Sequence, residues 1–124
     1  MPSAVHGYGL MRIITVNIKQ TLPTVSKAML ILQGELSSAR RLGVQVIKIV
    51  HGYGSTGNGG GIKKATHAFL MAAVKNGRIK GWCAGENFSS GTIDGQKLLR
   101  IYPELKKDSD YGRQNDGVSI VVLR

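Results

Sequence analysis

Residues 51–61 read HGYGSTGNGGG, and six of the ten residues from 52 to 61 are glycine. A β-branched apolar run, VQVIKIV at 44–50, leads into this stretch, and a run with helical spacing leads out from Ile62. Glycine adopts positive φ without steric cost and lets another group approach the backbone, yet it loses more entropy on folding than other residues. Strand, glycine-rich loop and helix in that order restrict the chain to an α/β arrangement, with the loop at the carboxyl end of a strand. The loop and the helix start offer N–H groups and partial positive charge that suit a phosphate or carboxylate. Lys63 and Lys64 follow directly and raise the local positive potential.

The remaining elements fall on either side of that loop. Residues 12–18 (RIITVNI) read as a strand, with Ile14, Val16 and Ile18 on one face. After a turn at 21–23, Thr24 is a good N-cap for a helix over 25–41, whose Val25, Ala28, Leu32, Leu36 and Ala39 keep the helical period. Gly43 is the expected helix stop, and the strand at 44–50 runs parallel to the first through a right-handed crossover. The helix after the loop is expected over 61–75, with Ile62, Ala65, Phe69, Ala72 and Ala73 buried and Lys64, His67 and Lys75 facing water. Residues 78–83 read as a third strand, 94–101 as a short helix and 117–123 (GVSIVVL) as a closing strand. Residues 1–11 read as a flexible N-terminal extension before one domain at 12–124. The order β-α-β-α-β-(α)-β predicts an α/β, two-layer α+β sandwich. Its mixed four-stranded sheet carries two main helices on one face, and the other face is left for the 84–116 insert, the N-terminal segment or a partner.

Charge narrows the partners. Lysine and arginine number 17 against 7 acids, a net charge of +10, and Glu35 is the only acid before Glu86. A small basic chain of this kind suits a polyanion, above all nucleic acid or a nucleoprotein such as the ribosome. Cys83 is the sole cysteine, so no intrachain disulfide forms, which fits a reducing cytoplasm; its apolar setting reads as a buried structural residue. No segment reaches the length of a membrane span, and the first ten residues lack the pattern of a signal peptide.

Residues 52–57 (GYGSTG) match the spacing GxGxxG, but no acid lies between Gly57 and Glu86 and the match follows the second strand. Neither this nor the GKS/GKT loop of ATP-binding proteins is fulfilled, no metal-ligand spacing joins His6, His51 and His67, and no cofactor is expected. His51, at the strand end, is the candidate catalytic group: a proton donor or acceptor, a phosphate contact, or equally a ring that shapes the loop. Tyr53 suits stacking on a base or packing of the loop. The candidate phosphate-binding set is His51, Gly52, Tyr53, Gly54, Ser55, Thr56, Gly57, Asn58, Lys63 and Lys64, with Lys19, Arg40 and Arg41 as further phosphate contacts. VHGYG at 5–9 repeats at 50–54, but the flanking sequences differ, so no structural repeat is implied.

VIKIVHGYGSTG at 46–57 and GVSIVVL at 117–123 together resemble the small MutS-related (Smr) domain family, over about residues 12–123. The second run is similar to that family's closing G-V-T-x-V-x-L strand, and His51, Gly52 and Gly54 match its loop. The resemblance implies a fold like the C-terminal domain of a bacterial translation initiation factor. It also implies binding to DNA or RNA, with nicking endonuclease activity in some members. The family's Leu-Asp-Leu-His-Gly at the first strand end is replaced here by TVNIK at 15–19, lacking the acid and the histidine. Gly59, Gly60 and Gly61 are additional, and GENFSSGT at 85–92 lies in a long connection. The chain therefore reads as a divergent stand-alone member. A nucleic-acid binder that does not cleave ranks ahead of a nuclease using His51, and a nucleotide- or small-anion-binding protein comes third.

Overall fold

The computed structural model describes the backbone at residues 4–8, 11–21, 23–53 and 57–124, and side chains at 11–21, 23–53 and 60–124. Its elements are β1 (Ala4–Tyr8), β2 (Met11–Asn17), α1 (Val25–Arg41), β3 (Val46–Val50), α2 (Gly57–Lys75), β4 (Gly81–Ala84), α3 (Ile93–Ile101) and β5 (Val118–Val122). Short 3-10 turns occupy Gly85–Asn87 and Pro103–Lys107. The sheet order is β1-β2-β3-β5-β4. β2 and β3 are parallel, with Ile13 opposite Val46; β1–β2, β3–β5 and β5–β4 are antiparallel.

The mixed α/β sheet with α1 and α2 on one face follows the expected plan. It gains a fifth strand among the described residues, because Ala4–Tyr8 pairs with Met11–Thr15 as a hairpin arm. Residues 5–8 (VHGY) thus lie within a strand, while the same four residues at 50–53 start on the last residue of one, so context decides their fate.

Alternation along the strands divides the core in two. Ile14, Val16, Ile18, Ile47, Ile49 and Val121 face α1 and α2, where they meet Ala28, Leu32, Leu36, Ala39, Ile62 and Leu70. Met11, Ile13, Val46, Cys83, Ile120 and Val122 face the other way. That second face is covered by the 85–111 insert through Phe88, Leu98, Leu99 and Leu105. Lys48 points to the same side and is only 7% exposed. Its Nζ reaches Asp108 and Asp110, each at 2.7 Å, which ties the insert to the middle of the sheet. Burial works against the ammonium charge, but the hydrogen bonds and charges of the two aspartates outweigh it and raise the Lys48 pKa.

Thr24 caps α1 by accepting from the Lys27 N–H, and Gly43 at φ 73° follows Leu42 at its end. α2 starts at Gly57, four residues before its expected start. Helical glycines are costly, yet a Cβ on Gly61 would stand 3.0 Å from Cγ2 of Val25. The missing side chain lets the opening of α2 lie close against α1. Among the described residues, no helix is long and apolar enough to cross a membrane.

Candidate functional site

The carboxyl end of β3 delivers His51 onto the α1/α2 face of the sheet, following Ile47 and Ile49 in alternation. His51 is 0% exposed. Both ring nitrogens are bonded: Nδ1 lies 2.9 Å from the Gly52 carbonyl and Nε2 lies 2.8 Å from Oγ of Ser119. Ser119, also 0% exposed, is the one polar residue of β5. Its Oγ lies 3.0 Å from Nε2 of His67 on α2.

The proton positions follow from the carbonyl, which only accepts. His51 Nδ1 therefore carries its proton and donates to Gly52. Its Nε2 is left as an acceptor, so the Ser119 hydroxyl donates to it. Ser119 Oγ then accepts from the Nε2–H of His67. Burial, reinforced by the charges of His67 and Lys63, lowers His51 to about 4, so the ring is neutral at neutral pH. His67 is lowered as well, first by burial and then by Lys63, against an opposing pull from Glu86. The His67 ring packs at 4.7 Å against Trp82 and at 5.5 Å, edge-on, against His51.

Lys63, one helical turn before His67, reaches Glu86 at 3.0 Å. Burial raises Glu86, but its own backbone N–H and Lys63 outweigh that effect and lower its pKa. Oε1 of Glu86 and Oγ1 of Thr66 are buried without a hydrogen-bond partner. Cys83, fully buried, is pushed up to about 12, first by burial and then by the charges of Asp94 and Glu86, so its thiol is inert at neutral pH.

The structure changes several expectations for the loop. The N–H groups of His51 and Gly52 do not face a ligand; both donate to the Gly117 carbonyl, at 3.0 and 3.1 Å. Gly52 sits at φ 86°, where a side chain would be strained. Gly54, Ser55 and Thr56 lie outside the described residues, and Gly57 and Asn58 form the first turn of α2. Lys63 is drawn into the ion pair with Glu86, while Lys64 is exposed. Tyr53 is 57% exposed beside a recess of about 100 Å³ that Lys19, Gly52 and Asn115 also line. A larger cleft of about 470 Å³ lies elsewhere, between the end of β2 and the outer face of α1.

His67 does not face water as expected. The buried stripe of α2 is Ile62, Thr66, Leu70 and Ala73, with Ala72 exposed. This rotates the helix about one residue from the expected face and brings Lys63 and His67 over the sheet. Sequence reasoning also missed Ser119 and Glu86. Ser119 left a signal: a lone hydroxyl in a continuous apolar strand must find a buried partner. Among the described residues, no group of three or more His, Cys, Asp or Glu is placed to hold a metal ion.

No model of a known protein family matches the chain, and no curated protein matches it. Among solved structures, it is similar to the Smr domain of MutS2 from Thermus thermophilus. The TM-score is 0.52 and the identity 20%, covering 90% of this chain and 96% of that one. At that identity the likeness carries the arrangement of strands and helices and nothing finer. The chain has the fold of an Smr-like domain.

Proposed function

We propose that this chain is a basic nucleic-acid-binding domain that grips the phosphate backbone and does not cleave it. The observation that carries this is the distribution of its charges. The ion pairs among the described residues spend Lys48 on Asp108 and Asp110, and Lys63 on Glu86. The other fifteen lysines and arginines are all exposed. Such a surface repels itself in isolation and gains free energy by displacing counterions from a polyphosphate. The Smr-like fold and the sequence resemblance to Smr domains support the same class of ligand. In this reading the glycine-rich loop contributes Tyr53, whose exposed ring suits stacking on a base.

The test is fluorescence anisotropy with labelled duplex DNA and single-stranded RNA at low salt. Saturable binding to either supports the reading, and no binding to both overturns it.

One observation favours an endonuclease as the second reading: His51, Ser119 and His67 form a hydrogen-bonded chain next to Lys63. His51, buried and doubly bonded, would act there only through Ser119 and His67, as a positioning residue. Purified protein is incubated with supercoiled plasmid and with structured RNA, alongside His51→Ala and His67→Ala. Cleavage that both substitutions abolish would establish this reading over the non-cleaving one.

A further inference from the structure

Both helices of the first face end at the same end of the sheet, where β2, β3 and β4 begin and β5 ends. The register places Arg12 there, beside Ile13 and Val46. The Lys80 N–H donates to the Val122 carbonyl, and the Leu123 N–H donates to Gln45, so Lys80 and Arg124 arrive at that end as well. The end of α1 adds Arg40 and Arg41, and the turn after α2 adds Arg78. All six of these side chains are exposed.

The arginines are held in place without being neutralised. Arg12 Nη1 donates to the Leu42 carbonyl at 3.3 Å, Arg40 Nη1 to the Arg78 carbonyl at 2.9 Å, and Arg124 Nη2 to the Arg40 carbonyl at 2.7 Å. Arg78 lies over the Phe69 ring, 5.8 Å from its centroid. Arg41 donates to the Ser38 hydroxyl. Among the described residues, every ion pair uses a lysine and none an arginine. Glu104 acts through its charge on Tyr102, whose hydroxyl donates to the main-chain oxygen of Arg124. It pairs with none of the arginines.

Each guanidinium has five N–H donors in a planar fork, so one bond to a carbonyl leaves donors for a phosphate. A side chain already fixed by its own backbone loses less entropy when it binds. Helix dipoles account for cations at the ends of α1 and α2, but not for Arg12, Lys80 and Arg124, which the strands supply. The opposite end of the sheet differs: there Glu86 holds Lys63, Asp110 and Asp116 precede β5, and the first loop amides are bonded internally.

We infer that the phosphodiester backbone is bound mainly at this arginine-rich end, across the sheet from the glycine-rich loop. The inference rests on the nucleic-acid reading above and fixes the surface that carries it.

Two triple variants that remove equal charge are compared with the unaltered chain by anisotropy, using duplex DNA and single-stranded RNA at several salt concentrations. One is Arg40→Gln/Arg78→Gln/Arg124→Gln, and the other is Lys19→Gln/Lys63→Gln/Lys64→Gln. The arginine triple should lose at least about tenfold more affinity than the lysine triple, and its salt slope should flatten by about 2 to 3. If circular dichroism shows the arginine triple unfolded, Arg41→Gln/Lys80→Gln against Lys19→Gln/Lys64→Gln makes the same comparison without touching a backbone anchor. Equal losses, or a greater loss in the lysine variants, overturn this inference and leave nucleic-acid binding standing. If the unaltered chain binds neither probe, the underlying reading falls with it. The probe bound more tightly identifies the backbone as DNA or RNA.

Discussion

Replacing Ser119 by alanine removes one hydroxyl and leaves two imidazoles without their shared partner. His51 Nε2 loses the O–H that donates to it from 2.8 Å, in a site with no solvent exposure. A buried acceptor left unpaired costs about 1–3 kcal/mol. His67 loses the oxygen that accepts its N–H at 3.0 Å, but it is half-buried and regains water at part of that cost. The sum is about 2–3 kcal/mol, which lowers the melting temperature by about 10 °C in a domain of this size. Urea unfolding at pH 7 measures the loss. The nitrogen shifts of the imidazoles in NMR report whether His51 keeps its Nδ1–H tautomer. Ser119→Thr keeps the hydroxyl and should lose less. A Ser119→Ala protein within about 0.5 kcal/mol of the original, with unchanged His51 ring shifts, would refute the hydrogen-bonded chain described above.

Lys48→Met leaves Asp108, whose side chain is 2% exposed, without its cation and should cost about 3–5 kcal/mol in urea unfolding. Adding Asp108→Asn and Asp110→Asn should recover much of that loss, and a single-variant cost below about 1 kcal/mol would contradict the tie between insert and sheet. His51 falls from 6.5 unfolded to about 4 folded, so its contribution is complete above pH 6.5 and is lost as pH falls towards 4. That amounts to about 3 kcal/mol, and a profile of unfolding free energy no different in His51→Gln would contradict it. Asp110, lowered by Lys48 and Asn115 against burial, contributes above the ordinary carboxylate range and loses its contribution only at more acid pH. Gly34 is exposed in the middle of α1, with nothing within 4 Å of an added Cβ. Gly34→Ala should therefore stabilise by about 0.5–1 kcal/mol in thermal or urea unfolding, and a destabilised variant would show a contact not visible in the fold.

The parts of the fold legible in the sequence were those with a complete local signal. α1 has a side-chain cap, an unbroken apolar stripe and a glycine stop, and the structure buries Ala28, Leu32, Leu36 and Ala39 as expected. β1 escaped because its five residues, AVHGY, include a glycine and gain strand structure only by pairing with β2. The face of α2 was misread because Thr66 is polar yet fully buried, while Ala72 is apolar yet exposed. That one-residue rotation hid the approach of His67 to Ser119. The glycines at the head of α2 suggested a ligand cradle; at Gly61 the close neighbour is Val25 of the same chain. The strand alternation that would place His51 beneath α2 was present in IKIVH, but its partner Ser119 lies 68 positions away, beyond local reading.

If the exposed cations bind a phosphate backbone, binding releases counterions and weakens as salt rises. The affinity of the unaltered chain for its preferred nucleic acid, plotted as log K against log salt concentration, tests it directly. A linear fall with a slope of about −3 or steeper is expected, as several phosphates release their counterions. Affinity that persists with a slope near zero, or no binding at low salt, would contradict it.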